Sequence, residues 1–503
     1  MPTWQWLVRI PPEGYPGTDQ RGYCRGGVGV RNCCMQSFTS RVRCSPMRWV
    51  PSSRMGSIAM ATHQRANALL DRPMLSAGRT ILLLLAGLHL VGSAVSLPLL
   101  DTASDFASYY TAGWAIRSGE AVYPWRAVLE SAEAQGVSPA AHAMPYRYLP
   151  AVALAFAPLT LLPYIIAKWV WVCMLIAAAV GCGVLLARMY GERAVATVAL
   201  CVTFAPISVG LCWGNISCSL PLALVLLALG GLGHRPKLSW LAGFAALGIA
   251  KLFPLLWLWV PGLLRRWRAI GIVGILVVGI AAAALLNPPN ATPSTYRSFL
   301  DESAWIVAPL NARLGHLSVW SATLQLTQPV EIDYEAHGLD VHRVVPAVFA
   351  LRMRTAALLG MAATALALVA CLWLASRMVA ARCSTDALWF LASALCVVLP
   401  VAFYSYQAVM LPGLVAGFKS LDGRARQLAV ASYALVGIGR FHGYLAAVFP
   451  HTALALLLGA VGPVVLCASL YRNCQIGLDK RSHSALSLAV PTENPICREL
   501  DRR

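Results

Sequence analysis

The sequence predicts an all-α integral membrane protein, a polytopic bundle of about 10–12 transmembrane helices with one broken hairpin and amphipathic helices on the outer face. Composition is the first observation behind this prediction. Hydrophobic residues make up 58% of the 503 residues and charged residues only 12%, and the mean hydropathy is +0.64. A soluble domain carries about twice that charged fraction. The second observation is the presence of about ten apolar segments, each near the roughly 20 residues that cross a hydrocarbon core.

The chain starts with a basic segment, residues 1–79, which holds eleven arginines against three acidic residues. It shows no sustained periodicity, so we expect a disordered cytoplasmic tail. Internal methionines at Met55, Met60 and Met74 leave open a later true start. The first apolar segment, Thr80–Leu100, is expected to be an uncleaved anchor, because so long a leader does not fit a signal peptide.

Basic loops orient the remaining segments. The net charge is +19, and most lysines and arginines beyond the tail lie in short loops, which marks those loops as cytoplasmic. These loops are Arg188–Arg193, His234–Lys237, Arg265–Arg268, Arg377–Arg382 and Lys419–Arg426. We therefore expect a multi-pass protein of the plasma (inner) membrane over residues 80–471, a cytoplasmic tail over 472–503, and both termini in the cytoplasm. Nucleic-acid binding is not expected, because no basic stripe alternates with stacking aromatic residues.

One apolar segment, Leu238–Leu264, has basic residues at both ends. A single crossing cannot place both ends in the cytoplasm, so we expect two half-helices that fold back near Lys251 and Pro254. A charge at the centre of such a segment is costly. The Lys251 ammonium is therefore expected either to bind an anion such as phosphate or to neutralise the backbone carbonyls exposed at the break.

The stretch DTASDFASYYTAGWAIRSGEAVYPW follows the first apolar segment and contains Asp101 and Asp105. Ser104 can cap a helix that begins at Asp105, and Tyr109 shares a face with that acid. The aromatic pattern suits an interfacial helix with rings at headgroup depth. Asp105 is then either a simple first-turn acid or an ionised proton acceptor.

Three further residues lie at outward-facing positions and could contact a polar ligand. Asn215 could bind a hydroxyl-rich ligand or cap the following helix. His316 belongs to a long outer loop, Asn287–Arg343, whose composition suits a sugar or phosphate as well as an ordinary loop. Arg440 is a candidate anion contact near another outer end.

Motifs for other chemistries are lacking. The sequence has no convincing Ser/His/Asp arrangement, HExxH, Walker loop or GxGxxG. Its fifteen cysteines form no CxxC pair, and most of them lie in apolar segments. We therefore expect no metal, no cofactor and no disulfide framework, and a donor substrate that already resides in the membrane.

Five stretches in order resemble glycosyltransferase family 87. They are SDFASYYTAGWAIRSGEAVYPW, YRYLPAVALAFAPLTLLP, WGNISCSLPLALVLLAL, LAGFAALGIAKLFPLLWLWVPGLLRRWRA and VLPVAFYSYQAVMLPGL. Together they cover about residues 75–470. The resemblance implies a GT-C fold and transfer of a mannose-like hexose from a polyprenyl-phosphate donor to a lipid or glycan acceptor hydroxyl on the outer face, with inversion and without a metal.

The resemblance also implies roles for residues. Asp105 matches the acid that follows the first span and serves as general base. Cations around the departing phosphate are expected from Lys251, Arg147, His316 and Arg440. The substrate contacts expected alongside them are Asn215, Tyr109 and Asp101.

Two departures from the family pattern bear on activity. Asn215 stands where the family usually has Gln, and Phe403–Gln407 has Tyr404, Ser405 and Gln407 where His or Asp is common. Two rival functions remain open at this stage, a transporter or flippase of lipid-linked sugars and a catalytically silent relative that only binds. The scarcity of paired internal repeats argues against the first rival.

Overall fold

The structure is a computed structural model. It describes residues 87–88, 91–92, 105–137, 146–283, 286, 288–307, 318–336, 339–345, 347–399, 404–420, 422–439 and 452–485. The predicted tail 1–79 lies outside the described residues. Residue 472, the predicted start of the C-terminal tail, lies within the helix Thr452–Ala485, and the boundary stays a prediction.

The described residues are overwhelmingly helical. The first half contains α1 Asp105–Arg117, α2 Trp125–Ala134, α3 Pro150–Phe156, α4 Tyr164–Tyr190, α5 Ala194–Thr203, α6 Ala205–Trp213, α7 Leu220–Gly231, α8 Leu238–Gly248, α9 Trp259–Leu263 and α10 Trp267–Ala283. The second half contains α11 Pro293–Val307, α12 Val319–Thr327, α13 Met353–Ala380, α14 Ser384–Val398, α15 Leu411–Phe418, α16 Gly423–Gly439 and α17 Thr452–Ala485. Short 3₁₀ turns span Ala157–Leu161, Ile216–Ser219, Phe253–Leu258, Pro288–Asn290 and Tyr404–Met410.

Within the part of the chain that the structure describes, two helices are long and apolar enough to cross a membrane. They are α4, of 27 residues, and α13, of 28 residues. A third span results if α5 and α6, which meet at a bend of 60°, count as one. Other apolar helices have only 10–17 residues, below the roughly 20 that a straight crossing needs. The protein is therefore a helical membrane protein, and the larger number of crossings stays a prediction.

A β-hairpin was not predicted. Strand β1 Val330–Ala336 pairs antiparallel with β2 Leu339–Val345, and Val330 lies opposite Val345 in the register. This hairpin is an exception to the predicted all-α class, which the other described elements follow. The sequence carried a signal, because VEIDYEA and LDVHRVV flank a two-residue His-Gly connection, as a hairpin would.

Helix α1 corrects a second prediction, that of an amphipathic helix lying in the membrane interface. Phe106 through Ile116 are all buried, so no face of the helix is left for lipid headgroups. Small residues allow this burial because they let neighbouring segments approach closely. The amphipathic helix of this loop is α2, which buries Trp125, Val128 and Leu129 and exposes charged residues such as Arg126.

The predicted break in Leu238–Leu264 coincides with a change of backbone direction. Helix α8 ends at Gly248, and Leu252 has a left-handed φ of 59° before the next 3₁₀ turn. The two basic ends lie side by side, since the distance from Arg266 Nη1 to His234 Nδ1 is 2.8 Å and Arg266 Nε donates to the Leu232 carbonyl at 3.3 Å. That both ends face the cytoplasm stays a prediction.

The close approach of α1 to the end of α3 depends on Gly113. A Cβ at this position would lie 2.7 Å from the Phe156 carbonyl carbon and 2.9 Å from the Ala157 nitrogen. Both are backbone atoms, which cannot rotate away as a flexible side chain could.

We predict that Gly113→Ala lowers the free energy of unfolding by about 1–3 kcal/mol through overpacking. The measurement is the thermal unfolding midpoint of the purified protein in detergent. Gly274→Ala is the matched control, because a Cβ there meets nothing within 4 Å and alanine favours a helix. A Gly113→Ala midpoint equal to that of the wild type would contradict the prediction.

Candidate active site

Asp105 begins α1, as the sequence predicted, and its side chain remains partly exposed. A carboxylate in the first turn interacts favourably with the helix dipole. The following residues, beginning with Phe106 at 0% exposure, are buried in the protein core. Asp105 is therefore a half-buried acid at the start of a buried helix. Ser104, the predicted cap, lies outside the described residues.

Asn215 contacts this carboxylate directly. Its Nδ2 donates a hydrogen bond to Asp105 Oδ2 at 2.5 Å. Its Oδ1 accepts from the Ser217 backbone N–H at 2.8 Å and so caps the 3₁₀ turn that follows. The cap expected of Asn215 is therefore present, and its amide also contacts Asp105, while binding of a hydroxyl-rich ligand stays a prediction.

The turn before Asn215 depends on a glycine. Gly214 ends α6 with a left-handed φ of 64°, which a residue with a side chain rarely adopts. Its carbonyl accepts a hydrogen bond of 2.7 Å from Trp171 Nε1 on α4. This contact fixes the turn to the longest helix of the first half and thereby positions the Asn215 amide against Asp105.

Lys251 lies at the break after α8, between two tyrosines. Its ammonium donates to Tyr148 Oη at 2.6 Å and to Tyr406 Oη at 3.2 Å. It also lies 4.6 Å and 4.7 Å from the centroids of the same two rings. The strained φ of Leu252 lies directly after this lysine, and such strain is common at functional sites.

A chain of tyrosine hydroxyls connects the lysine to α1. Tyr148 Oη lies 2.7 Å from Tyr109 Oη, which also accepts from the Ile216 backbone N–H at 3.5 Å. Ile216 follows the asparagine that contacts Asp105. The carboxylate and the ammonium therefore belong to one connected polar cluster, formed by Asp105, Tyr109, Tyr148, Asn215, Lys251 and Tyr406.

The charges of Lys251 and Arg147 also act on the Asp105 carboxylate. Burial raises the pKa of Asp105 above its ordinary value of 3.8, while positive charge on Lys251, the hydrogen bond from Asn215 and positive charge on Arg147 lower that pKa part of the way back. Two cations thus favour the ionised form of the carboxylate. An ionised carboxylate can accept a proton.

The segment that contains α11 packs on the segment that contains α2 at this site. Glu302, on α11, accepts a hydrogen bond of 2.8 Å from the Trp125 backbone N–H, and its charge acts on Arg147. Burial raises the pKa of Glu302, while the Trp125 N–H and Arg147 lower it. Asn290 adds a second link, because its Oδ1 accepts from the Val122 N–H at 2.8 Å.

Five of the eight predicted site residues come together: Asp105, Tyr109, Arg147, Asn215 and Lys251. Asp101, His316 and Arg440 lie outside the described residues. Their roles, and the roles of the five, stay predictions.

Two residues of the cluster were missed, Tyr148 and Tyr406, and so was Glu302, whose charge acts on Arg147. The only signal for Tyr148 is its place next to Arg147 in YRYLP, and Tyr406 lies within the stretch already noted for departing from the family pattern.

The aromatic residues of α1 are buried in the protein and are not exposed as the predicted interfacial helix would require. Tyr109 has 0% exposure and packs against Tyr148, Phe156 and Trp171, with ring centroids 5.1, 4.7 and 6.1 Å away. An interfacial helix would expose such rings. Here the rings pack inside the protein next to the polar cluster. Tyr109 contacts Tyr148 and is not exposed.

The arrangement provides a proton acceptor beside two cations. Within the described ranges, no three His, Cys, Asp or Glu residues cluster as metal ligands would. Metal independence of the reaction stays a prediction. The chemistry available from the side chains themselves is proton abstraction by the carboxylate and stabilisation of an anion by Lys251 and Arg147.

Comparison with known proteins gives one match. The model of glycosyltransferase family 87 matches residues 146–349, a segment that includes Arg147, Asn215 and Lys251 and covers less than half of the chain. No curated protein and no solved structure matches the chain. The segment agrees in order with three of the motifs on which the resemblance rests. This match supports membership of the chain in glycosyltransferase family 87, a family of glycosyltransferases.

Proposed function

We propose that the protein transfers a mannose-like hexose from a polyprenyl-phosphate donor to a lipid or glycan acceptor hydroxyl, on the outer face of the plasma membrane. The observation that carries the proposal is the pairing of one partly exposed carboxylate, Asp105, with the cations Lys251 and Arg147. A phosphate-linked sugar needs both kinds of group, one at the acceptor hydroxyl and the other at the leaving phosphate.

The proposed reaction is a single displacement with inversion. Asp105 accepts the proton of the acceptor hydroxyl while that oxygen bonds to the anomeric carbon. The bond from the anomeric carbon to the phosphate oxygen breaks, and its electron pair leaves with polyprenyl phosphate. Phosphate is a good leaving group without protonation. The reaction therefore needs cations near the phosphate, whereas a sugar donor with a poorer leaving group would need a general acid. Lys251 and Arg147 stabilise the charge that develops there.

The departures from the family pattern are compatible with this reaction. Asn215 replaces a usual Gln, yet its amide reaches Asp105 and supports the ionised carboxylate. Tyr404 donates to the Val436 carbonyl at 2.6 Å and Tyr406 contacts Lys251, so the stretch with unusual residues still contributes to the cluster.

We predict that Asp105→Asn lowers sugar transfer by about 10²–10⁴-fold, the range that a general base contributes. The measurement is the transfer of radiolabelled sugar from polyprenyl-phosphate mannose to endogenous acceptors in membranes. Asp301→Asn is the matched control, because Asp301 is an exposed acid on α11. Unchanged transfer by Asp105→Asn would exclude this base, and labelled lipid that crosses the bilayer without a glycosidic product would favour a flippase.

The pH dependence supplies a second test. Asp105 must be deprotonated to act, so kcat/KM should fall as the pH drops through a pKa that burial raises above 3.8. Lys251 lowers that pKa, and Lys251→Met should therefore move the acid limb of the profile to higher pH. Arg126→Met, which removes an exposed cation on α2, should leave the limb in place. An acid limb that stays fixed or moves to lower pH in Lys251→Met would contradict the assignment.

A further inference from the structure

Lys251 is held by two neutral phenols instead of a carboxylate. Tyr148 and Tyr406 each accept one hydrogen bond from its ammonium and each present a ring within 5 Å of it. Asp105 acts on the lysine through its charge and not through a hydrogen bond. A carboxylate partner would cancel the positive charge, whereas two phenols orient the ammonium and leave its full charge for a ligand.

Both tyrosines are held in place by contacts with residues other than Lys251. Tyr148 packs edge-on against Tyr109, and its backbone carbonyl accepts a hydrogen bond of 2.9 Å from Tyr123 Oη. Tyr406 stacks on Phe253, with ring centroids 5.5 Å apart and an interplanar angle of 25°. The lysine stem has several rotatable bonds, so without these contacts its head would sample many positions.

One N–H of the Lys251 ammonium is not used by the two tyrosines. An ammonium has three N–H donors and no acceptor. Two of the donors of Lys251 go to the phenols, and within the described residues its third has no hydrogen-bond partner. Lys251 and Asp105 are both half-buried residues, neither of them fully enclosed by the protein.

We propose that Tyr148 and Tyr406 are positioning residues for donor binding, which hold Lys251 so that its third N–H bonds an oxygen of the donor's phosphate. The inference rests on the proposed function and names the groups that prepare its anion site. Preorganisation of this kind raises affinity because binding no longer has to order a flexible side chain.

The first test measures binding of a short-chain polyprenyl phosphate to the purified full-length protein by titration calorimetry. Tyr148→Phe should weaken binding by about tenfold, as expected for the loss of one hydrogen bond to a charged group. Tyr406→Phe should weaken it less, since its contact is longer. Tyr146→Phe is the matched control, because the Tyr146 hydroxyl donates to the Leu149 carbonyl at 3.0 Å and not to a group that holds Lys251. That variant should bind as the wild type does.

The second test asks whether Tyr148 acts through Lys251. In a Lys251→Met background, Tyr148→Phe should have no further effect on binding, because the group that it positions is gone. A residue with a merely structural role would weaken binding equally in both backgrounds. Equal weakening, or wild-type affinity in the single variant Tyr148→Phe, overturns the inference.

The outcomes separate this inference from the proposed function. If the wild type binds polyprenyl phosphate with the Lys251 dependence described but transfers no sugar, the proposed function fails and the positioning role stands. If the wild type transfers sugar while Tyr148→Phe binds normally, the reverse holds. Binding of inorganic phosphate with the same dependence, without binding of the polyprenyl phosphate, overturns the assignment to the donor.

Discussion

The site depends on keeping one carboxylate ionised in a partly buried position. Burial alone would favour the protonated form of Asp105, and a protonated acid cannot accept the proton of a hydroxyl. Three groups oppose burial, the Asn215 amide and the cations of Lys251 and Arg147. Each of these groups comes from a different segment of the chain. The ionisation of the Asp105 carboxylate therefore depends on the correct assembly of the membrane domain.

That assembly is achieved by local backbone devices. A left-handed glycine, Gly214, turns the chain so that Asn215 faces α1, and the break after Gly248 brings Lys251 to the same cluster. Gly113 lets α1 approach the backbone at the end of α3. The turn at Gly214 and the break after Gly248 are departures from regular helix, and they account for two of the breaks between the apolar segments. Half-helices and turns of this kind are tolerated at membrane depth where they line a polar cavity.

Much of this could be predicted from single segments, and the remainder required contacts between them. Helix α1 begins at Asp105 as expected, since the start of a helix is encoded locally. Its burial on all sides was not foreseen, because aromatic residues beside small ones suit both a packed core and a membrane interface. Beyond its place next to Arg147, Tyr148 gave no sequence signal of its role, since the role arises from its distance to Lys251, about a hundred positions away in the chain. The β-hairpin was encoded but was overlooked within a loop assumed to be irregular.

The central claim is that the anion of a lipid-linked sugar binds between Lys251 and Arg147 with its sugar facing Asp105. The most direct measurement is an experimental structure of the protein with a non-transferable polyprenyl-phosphate sugar bound. The account predicts a phosphate oxygen at hydrogen-bonding distance, about 3 Å, from Lys251 Nζ, with the anomeric carbon on the Asp105 side of the phosphate. A phosphate bound away from both cations, or a sugar that points away from Asp105, would contradict it.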